Sequence, residues 1–463
     1  MPGRGEMVTE RSAGADVASG GTDFDLVVIG TGEAGPAMAR RCRRAGWSVA
    51  ITDEAPYGGL CGRRGCVPKK VLNGVAETVD QARRFAGRGV AGECRVAWPD
   101  LVRFEREFTD AVTPRREESL GRDGIVRLRG HAEFAGPNAL RIGDRTVAAR
   151  FIGVATGSVP RRLDVPGEEL VSSSDDFLAM ESLPGRLLFV GGGFISFEFG
   201  FIAATAGAEV TILHRSERVL REFDPFLVGL LLEACREQGI RVETEAPLSA
   251  VERAGGSLVV RSGDRVFEAD MVVHGAGRVP NTADLALERG NVVVDEHGIV
   301  VNDYLQSVSN PSVYVAGDAN PRGRMLSPVA NRDGKAAAEN MLGGNTVAPD
   351  YSVEPSAVYT SPVLASVGLG AEEAEAKGLP VAVYRADTRD WFSTRRLGLS
   401  RSGYTVLTDG PMGPVLGAHV LGDDADELIN IFTLAIRKRV TLAELKETIW
   451  AFPTAGHDIR RIR

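Results

Sequence analysis

Short apolar runs alternate with helical patterns along most of the chain, and two of the resulting units share one layout. In the first unit, apolar positions over Phe24 to Gly30 predict a buried strand, and a second strand is predicted over Ser48 to Thr52 after a helical pattern. In the second unit, strands are predicted over Leu187 to Val190 and over Val210 to Leu213. Strands that alternate with helices in this way indicate an α/β fold with parallel sheets.

The first unit carries a glycine pattern where its first strand meets its helix. Gly30, Gly32 and Gly35 form G-x-G-x-x-G, which permits a tight turn and lets a pyrophosphate approach the helix N-terminus closely. Asp53 ends the second strand, about 20 residues further on, where a carboxylate can accept hydrogen bonds from ribose hydroxyls. The order of strand, glycines, helix, strand and acid predicts a dinucleotide site.

The second unit repeats the glycines but changes the end of its second strand. Gly191 and Gly193 hold the first two glycine places, and Ser196 takes the third. No acid sits at the end of the second strand; His214 follows it, and three arginines come after: Arg215, Arg218 and Arg221. Arginine at this place suits a 2′-phosphate, so the unit is predicted to prefer NADP(H) over NAD(H). The alternative is that these arginines are solvated surface side chains.

Two further segments fit the same scheme. The run over Phe151 to Arg161 predicts a strand followed by a turn at Gly157. The run over Ser312 to Asn320 predicts a strand that ends in Gly317 and Asp318, where a carboxylate could meet a chain of hydroxyl groups.

The composition changes from about Val347 onward, where no glycine fingerprint occurs. Strands and helices are both predicted here: strands over Tyr359 to Gly368, Gly403 to Thr408 and Val415 to Val420, and helices over Glu427 to Ile436 and Leu442 to Trp450. This part of the chain is therefore expected to form an α+β domain.

Charge and composition exclude some classes of partner. The net charge of −8 disfavours nucleic acid and anionic membrane surfaces, and no apolar run is long enough to cross a bilayer. Residues 1–22 are rich in small and charged residues without an apolar segment, so a flexible tail and not a secretion signal is expected. A cytoplasmic protein is the resulting prediction.

Five cysteines in 463 residues are too few for a disulfide-stapled secreted fold. Two of them, Cys61 and Cys66, lie close together in GGLCGRRGCVPKK, which in a reducing compartment indicates redox chemistry. The other three are expected to be buried or incidental thiols: Cys42, Cys94 and Cys235. No resident metal site is predicted.

Two nucleotide fingerprints, a C-x-x-x-x-C between them, ATG, GD and a terminal Pro-Thr, in this order, resemble the flavoprotein disulfide reductases. This family includes glutathione reductase, dihydrolipoamide dehydrogenase and mercuric reductase. The resemblance runs from about Phe24 to the end of the chain. It implies FAD on the first fingerprint, NADPH on the second, and a homodimer formed through the last domain.

The resemblance also implies a division into domains. A flexible tail over 1–22 would precede an FAD-binding domain built from 23–160 and 279–348. An NAD(P)H-binding domain would cover 161–278, and a dimerisation domain 349–463.

The resemblance assigns a role to each residue that matches a family motif. Cys66 would be the thiol against the flavin, and Cys61 the interchange thiol that attacks substrate. Lys69 matches a lysine that contacts the flavin, and Glu198 its ion-pair partner. Other family sites are matched at Arg215 and Arg221 for the NADPH phosphate and at Gly317 and Asp318 for FAD. Hydride would pass from NADPH to FAD, and two electrons from the flavin to the cysteine pair.

The C-terminus departs from the family, which has His-Pro-Thr followed by a Glu. Phe452 replaces the histidine, and His457 stands at the Glu position. Phenylalanine cannot transfer a proton, and losing a positioned acid or base costs roughly 10²–10⁴ in rate. An ordinary alkyl disulfide is therefore expected to be a poor substrate. His457 could be a displaced acid or an uninvolved histidine.

These observations leave three kinds of small-molecule acceptor open: an activated disulfide, a quinone and a soft metal ion. Mercuric ion is disfavoured, because no cysteine follows Cys235. A similar Phe…His replacement occurs in 2-ketopropyl-coenzyme M oxidoreductase/carboxylase, although Lys69 and Lys70 match the disulfide reductases. The remaining alternatives are a redox-sensing flavoprotein and a cysteine-independent diaphorase or transhydrogenase.

Overall fold

The computed structural model describes residues 23–463, so the predicted tail over 1–22 lies outside the described residues. The helices are α1 Ala34–Arg44, α2 Gly59–Arg64, α3 Cys66–Arg84, α4 Trp98–Thr109, α5 Val112–Arg122, α6 Ser174–Leu178, α7 Phe194–Thr205, α8 Pro225–Glu237, α9 Ser327–Gly343, α10 Ala371–Ala376, α11 Phe392–Arg395, α12 Ala425–Arg437 and α13 Leu442–Glu447. Short 3₁₀ helices cover Glu168–Leu170, Ala283–Leu285, Gly317–Ala319 and Gly456–Arg461.

The strands belong to six sheets. They are β1 Phe24–Ile29, β2 Val49–Asp53, β3 Val126–Arg129, β4 Ala132–Gly136, β5 Ala139–Ile142, β6 Arg145–Val154, β7 Ser158–Pro160, β8 Arg186–Val190, β9 Glu209–Leu213, β10 Ile240–Glu243, β11 Ala250–Ala254, β12 Ser257–Ser262, β13 Arg265–Ala269, β14 Met271–His274, β15 Arg278–Pro280, β16 Val294–Asp295, β17 Gly298–Ile299, β18 Val313–Val315, β19 Ser356–Val358, β20 Val363–Gly368, β21 Val381–Asp387, β22 Gly403–Asp409 and β23 Val415–Gly422.

The first sheet has the order β3-β2-β1-β6-β5-β4, with β18 also paired to β6. Strands β3, β2, β1, β6 and β18 run parallel, and β4 and β5 add an antiparallel meander to β6. Helix α1 connects β1 to β2, as predicted for the first nucleotide unit. Because β18 returns to this sheet from much later in the chain, Gly317 and Asp318 arrive beside the first fingerprint.

The second sheet has the parallel order β10-β9-β8-β14. Its crossover helix α7 is apolar on all sides, which is typical of a helix buried within a protein. Glu198 is the one charged residue of this helix, and it is 3% exposed. A buried carboxylate needs a partner of opposite charge, so this helix already indicates where a cation must lie.

The C-terminal part is a five-stranded antiparallel sheet in the order β19-β20-β23-β22-β21, with α12 packed on it. The α/β class with two dinucleotide-binding units and a terminal α+β domain is therefore confirmed. The predicted domain boundaries themselves stay predictions.

Several predicted elements differ in extent from those observed, and in two of them the structure shows what ends or delays the element. The strand predicted from Tyr359 begins only at Val363, because Tyr359 to Pro362 form a loop after β19. The last predicted helix ends at Glu447 instead of Trp450. There the indole N–H of Trp450 donates to the backbone carbonyl of Leu445, at 2.8 Å, and the chain turns away.

Helices α1 and α9 pack together very closely. A Cβ at Gly334 would lie 2.3 Å from the carbonyl oxygen of Ala34, so only glycine permits this approach. The contact brings the start of α9 to the first fingerprint. Within residues 23–463, no helix combines the length and the apolar character that crossing a membrane requires.

Candidate functional site

The first glycine turn is closed by steric contacts that exclude any side chain. Gly30 has φ of +107°, and a Cβ there would lie 2.1 Å from the carbonyl oxygen of Ala155. A Cβ at Gly35 would lie 2.0 Å from the carbonyl oxygen of Gly30. The backbone N–H groups at the start of α1 are thereby left open to an anionic ligand, which is the arrangement that pyrophosphates use.

Asp53 lies at the end of β2, beside this turn. Its Oδ2 accepts hydrogen bonds from the backbone N–H and the hydroxyl of Thr31, at 2.8 and 2.6 Å. Its Oδ1 accepts from the N–H of Ala55 at 3.0 Å. These bonds fix the carboxylate and leave Oδ1 with capacity for a further donor, such as a ribose hydroxyl.

A second group of polar atoms lies where β18 meets β7 and β15. The Ser158 hydroxyl donates to Asp318 Oδ2 at 2.9 Å, and Arg278 Nε donates to the Ser158 hydroxyl at 2.9 Å. Burial raises the pKa of Asp318. The neighbouring Thr156 hydroxyl is buried without a hydrogen-bond partner among the described residues. A buried orphan hydroxyl beside a held carboxylate fits a ligand that carries several hydroxyl groups, as the ribityl chain of FAD does.

Cys61 and Cys66 lie on two helices and not on one, because the chain breaks at Gly65 between α2 and α3. A Cβ at Gly65 would lie 3.1 Å from the carbonyl oxygen of Leu60, so this break is tight. Cys66 is therefore the first residue of a helix 19 residues long. Both cysteines are free thiols, and the positive end of the helix dipole favours a thiolate at Cys66.

The surroundings of the two thiols differ in charge and in hydrogen bonding. The adjoining Cys61 thiol, the Ser327 hydroxyl and the Lys69 ammonium lower the pKa of Cys66 to about 6. The same pairing with Cys66, together with burial, raises the pKa of Cys61. At neutral pH, the arrangement therefore places one negative charge on Cys66 and one proton on Cys61.

Ser327 is a site residue that the sequence reasoning missed. It begins α9, and its hydroxyl oxygen lies 3.6 Å from the Cys66 sulfur. The available signal was the Ser-Pro pair before a helical pattern, which is typical of a helix start. Only the packing of α9 on α1 brings that start to the cysteines.

Lys69 and Glu198 form the buried ion pair that α7 requires. Lys69 Nζ donates to Glu198 Oε1 at 2.9 Å, and the two side chains are 12% and 4% exposed. The backbone N–H of Tyr359 donates to the same oxygen at 3.0 Å. Lys69 follows Cys66 by three residues on α3, so both side chains lie on one face of the helix.

The second fingerprint repeats the geometry of the first. Gly191 has φ of +113°, and a Cβ there would lie 2.2 Å from the carbonyl oxygen of Gly275. A Cβ at Gly193 would keep an ordinary contact of 3.6 Å with the same oxygen. The backbone N–H of Gly192 donates to Nδ1 of His214 at 3.0 Å, so an imidazole braces this turn from the end of β9.

The arginines that follow β9 separate into two groups. Arg218 is engaged by Glu372, with both carboxylate oxygens at 2.9 Å from Nη1. Arg215 and Arg221 are exposed and have no ion-pair partner among residues 23–463. Two unengaged guanidinium groups fit an added phosphate group.

The arginines between the cysteines are both anchored. Arg63 donates to the backbone carbonyl of Pro56 at 3.1 Å, and Arg64 forms an ion pair with Asp175 at 2.8 Å. Because Asp175 pairs with it, the Arg64 guanidinium is not an unpaired source of positive potential beside the cysteines.

A cavity of about 310 Å³ opens between α1, α5 and α9. Five cations line it, together with Glu33 and Glu339: Arg40, Arg41, Arg44, Arg116 and Lys335. Among the described residues, none of α2 or α3, which carry the two cysteines, lines this cavity.

The C-terminal segment presents an aromatic pair. Phe452 is 74% exposed, and its ring packs edge-to-face on His457 with centroids 4.9 Å apart. Nδ1 of His457 is buried without a hydrogen-bond partner among the described residues. Within this chain, the structure brings neither residue to the cysteine pair. Within residues 23–463, no group of three or more His, Cys, Asp or Glu side chains could hold a metal ion.

Two models of known protein families match this chain. The profile "Pyridine nucleotide-disulphide oxidoreductase" matches residues 24–334, and the dimerisation domain of the same group matches residues 354–462. The chain belongs to this family. As a member, it is an FAD-dependent NAD(P)H oxidoreductase.

Several relatives align with nearly the whole length of this chain. Glutathione reductase from Burkholderia cepacia is 33% identical over 444 residues, covering 95% of this chain and 98% of the relative. Dihydrolipoyl dehydrogenase from Thermus scotoductus is 33% identical, covering 94% and 96%. The HOCl-induced flavoprotein disulfide reductase RclA from Escherichia coli shares the fold, with a TM-score of 0.85, 24% identity and coverage of 95% and 99%.

The first fingerprint and the Ser158 cluster of this oxidoreductase fit FAD, since they combine an open helix N-terminus, a fixed carboxylate and an orphan hydroxyl. When bound, FAD would supply two-electron transfer from a reduced nicotinamide to a disulfide.

Proposed function

We propose that the protein uses NADPH to reduce a Cys61–Cys66 disulfide and passes the two electrons to an acceptor that needs no proton from a C-terminal histidine. Suitable acceptors are an activated disulfide, another thiol-linked substrate, a quinone or a metal ion. Each turnover would consume one NADPH, whose hydride carries two electrons and one proton and leaves NADP⁺, the Cys66 thiolate and the Cys61 thiol. The pair would then close again to the disulfide as the acceptor takes up the two electrons, and the Cys61 proton would pass to the acceptor or to solvent.

The observation that carries this proposal is the asymmetry of the two thiols. The pKa of Cys66 is lowered to about 6 and that of Cys61 is raised, so the pair stores one proton and one negative charge. Cys66 would hold the thiolate beside the flavin. Cys61 would attack the acceptor after giving up its proton, and Lys69 with Glu198 would keep a positive charge beside Cys66.

The C-terminal segment supports the choice of acceptor. In the family pattern, a histidine of a second copy protonates the leaving thiolate, and here Phe452 has no proton to give. An acceptor that leaves as an already stabilised anion avoids this need. His457 is proposed as a packing partner of Phe452, because their rings are in contact and its Nδ1 faces no donor or acceptor.

The cation-lined cavity supports an acceptor with a carboxylate or a similar anionic group. Arg44 and Lys335 are exposed, have no ion-pair partner among the described residues, and line the cavity. Its other cations exceed the two acids that line it, so the cavity keeps net positive charge.

The nucleotide proposed for the second fingerprint is NADPH. Arg215 and Arg221 are the groups that would hold its 2′-phosphate, and His214 stands where an acid would accept ribose hydroxyls in a site for NADH. The NADPH assignment thus rests on two unengaged cations and on the absence of a carboxylate after β9.

A homodimer is proposed through the last domain. Ile449 is 98% exposed, Phe452 74% and Leu434 60%, which is costly for apolar side chains that face water. An apolar groove of about 610 Å³ runs beside Cys66 and is lined by Phe104 and Phe108. A second copy that laid its C-terminal segment along this groove would cover both surfaces. A cytoplasmic location is proposed as well, because five cysteines in 463 residues are too few for a disulfide-stapled secreted fold.

One second candidate has a specific observation in its favour. The Phe452–His457 pair matches the pattern of 2-ketopropyl-coenzyme M oxidoreductase/carboxylase, in which proton exclusion protects a carbanion. A thioether-cleaving reaction would therefore also use the same cysteine pair. The intact Lys69–Glu198 ion pair favours the disulfide-type reaction over this one.

The experiment is an anaerobic titration of the flavin-loaded enzyme with NADPH and with NADH, for the wild type and for Cys66→Ser. We expect a long-wavelength absorption band in the wild type that is absent from Cys66→Ser. NADPH should act at a concentration roughly tenfold lower than NADH, because a phosphate gains charge-assisted hydrogen bonds from two arginines.

Immediate loss of the flavin absorption, equal in both proteins, would mean that the cysteines take no part and would refute the proposal. If NADPH and NADH reduced the enzyme at equal concentrations, only the assignment of the nucleotide would be refuted. Carbon dioxide uptake with a thioether substrate would select the second candidate.

A further inference from the structure

A loop of the C-terminal domain reaches the ion pair beside the cysteines. Tyr359 lies between β19 and β20, and its backbone N–H donates to Glu198 Oε1 at 3.0 Å. Its ring lies 4.1 Å from Lys69 Nζ and 4.0 Å from Lys70 Nζ, measured to the ring centroid. One residue therefore contacts both members of the Lys69–Glu198 pair and the next lysine along α3.

The loop is anchored on two other domains of the chain. The Ser361 hydroxyl donates to Asp80 on α3 at 2.7 Å, and Gln238, which follows α8, donates to the backbone carbonyl of Ser361 at 2.7 Å. The neighbouring Thr360 is 2% exposed. These contacts hold the backbone just after Tyr359, and β19 ends at Val358 just before it, so the residue that carries the ring is held between two fixed segments.

We propose that Tyr359 is a positioning residue, whose ring holds the Lys69 ammonium beside Cys66 and separates it from the adjacent Lys70. This inference rests on the proposed function only in taking Cys66 as the reactive thiolate. Two ammonium groups on adjacent residues repel each other, and an aromatic ring face attracts both. Lys70 is also held by Glu77 at 3.6 Å, so the ring and that carboxylate together draw it away from Lys69.

The ring and the backbone of Tyr359 make separate contributions, which allows a clean test. Every residue except proline keeps the N–H at position 359 that binds Glu198, so a substitution by another residue removes the ring contact alone. Within residues 23–463, the Tyr359 hydroxyl has no hydrogen-bond partner. Tyr359→Phe should therefore behave as the wild type, whereas Tyr359→Leu should release Lys69.

The readout is the pKa of Cys66 in the reduced protein, measured from the pH dependence of thiolate absorbance and of alkylation. We expect Tyr359→Leu to raise this pKa by about one unit, because a cation at 4–6 Å favours a thiolate by that order. Flavin reduction by NADPH should slow about tenfold, since misplacing a positioned group by 1 Å carries a cost of this size or larger.

A double-mutant cycle with Lys69→Gln decides whether Tyr359 acts through Lys69. In the Lys69→Gln background, Tyr359→Leu should change the pKa by less than about 0.3 units, because the group that it positions is gone. Tyr384→Leu is the matched control: it removes a tyrosine of the same domain that also lies beside a lysine, Lys446, at 5.7 Å. This control should leave the pKa unchanged.

Equal pKa shifts for Tyr359→Leu with and without Lys69 would overturn the proposal, as would an unchanged pKa in a folded Tyr359→Leu protein. If Tyr359→Leu does not fold, a trifluorinated phenylalanine at this position keeps the ring shape and removes its negative face. An unchanged pKa in that protein would equally overturn the proposal. Since no acceptor takes part in the measurement, failure here is distinct from failure of the proposed function.

Discussion

The cysteine segment and the C-terminal segment differ in the side chains that surround them. In the family pattern, these two segments meet at the active site. Around Cys66, the structure places a hydroxyl, an ammonium and a helix N-terminus, each fixed by a contact with another element. Around Phe452, it places exposed apolar surface and a histidine whose ring rests on the phenylalanine. The surroundings of Cys66 stabilise a negative charge, whereas the apolar surroundings of Phe452 disfavour one.

Under the proposed function, the difference means that electron transfer and proton transfer are separable in this fold. The thiol pair would need only its own surroundings to carry two electrons, and the hydroxyl, the ammonium and the helix N-terminus of those surroundings all belong to one chain. Delivery of a proton to a leaving group would depend on a side chain from a different segment. A substitution there would change which acceptors can react and would leave the cysteines as they were.

The strongest test of this comparison is to return a proton donor to the C-terminal segment. Phe452→His combined with His457→Glu should raise turnover of a simple alkyl disulfide by about 10², the lower end of the contribution of a positioned general acid. The pH profile should gain a limb on the alkaline side, where the new imidazolium loses its proton. Steady-state kinetics from pH 5 to 9 measure both effects.

Phe452→Leu combined with the same His457→Glu change is the control, because it alters size without adding an acid. Its turnover should stay at the wild-type level. If both double variants gained equally, the phenylalanine would be limiting access and not protonation, and the contrast between the two segments would fail.

A smaller effect is expected when the cysteine segment loses one contact to Cys66. Ser327→Ala removes the hydroxyl that lies 3.6 Å from the Cys66 sulfur. Because that hydroxyl stabilises the thiolate, the pKa of Cys66 should rise from about 6 by about one unit, the equivalent of one hydrogen bond to a charged group. Thiolate absorbance of the reduced protein, followed against pH, measures the shift.

Ser327→Thr supplies the control, since it retains the hydroxyl and should keep the wild-type titration. At pH 7.5, the alkylation rate of Ser327→Ala should fall only modestly, because most of Cys66 would still be ionised. A titration that does not move would mean that the helix dipole, Cys61 and Lys69 suffice without Ser327.

Much of the fold could be predicted from the sequence, because its signals are local. The turns at Gly30 and Gly191 are set by steric contacts that only glycine tolerates, and the sequence displays those glycines directly. The strands β1 and β8 lie buried in parallel sheets, and for that reason they appear in the sequence as apolar runs. Boundaries were less accurate where a tertiary contact ends an element, as at Trp450.

The candidate site was predictable only as far as its residues lie in motifs. Cys61, Cys66 and Lys69 share one short segment, whereas Ser327 and Tyr359 reach them from far along the chain. The placement of Tyr359 within a strand was wrong, because the loop that holds it is fixed by Asp80 and Gln238, both distant in sequence. No pattern of neighbouring residues reports such contacts.

The smallest expected effect concerns the cations that line the cavity between α1, α5 and α9. Lys335→Gln should raise KM for a disulfide that carries carboxylates by about threefold, since one exposed cation contributes less than about 1 kcal/mol. KM for a neutral disulfide of the same size should not change, and added salt should remove the difference. Lys377→Gln makes the same change in net charge on a different domain and serves as the control. Equal increases for the charged and the neutral disulfide would show that the cavity shapes access without selecting charge, and the apolar C-terminal segment would then be the chief determinant of which acceptor reacts.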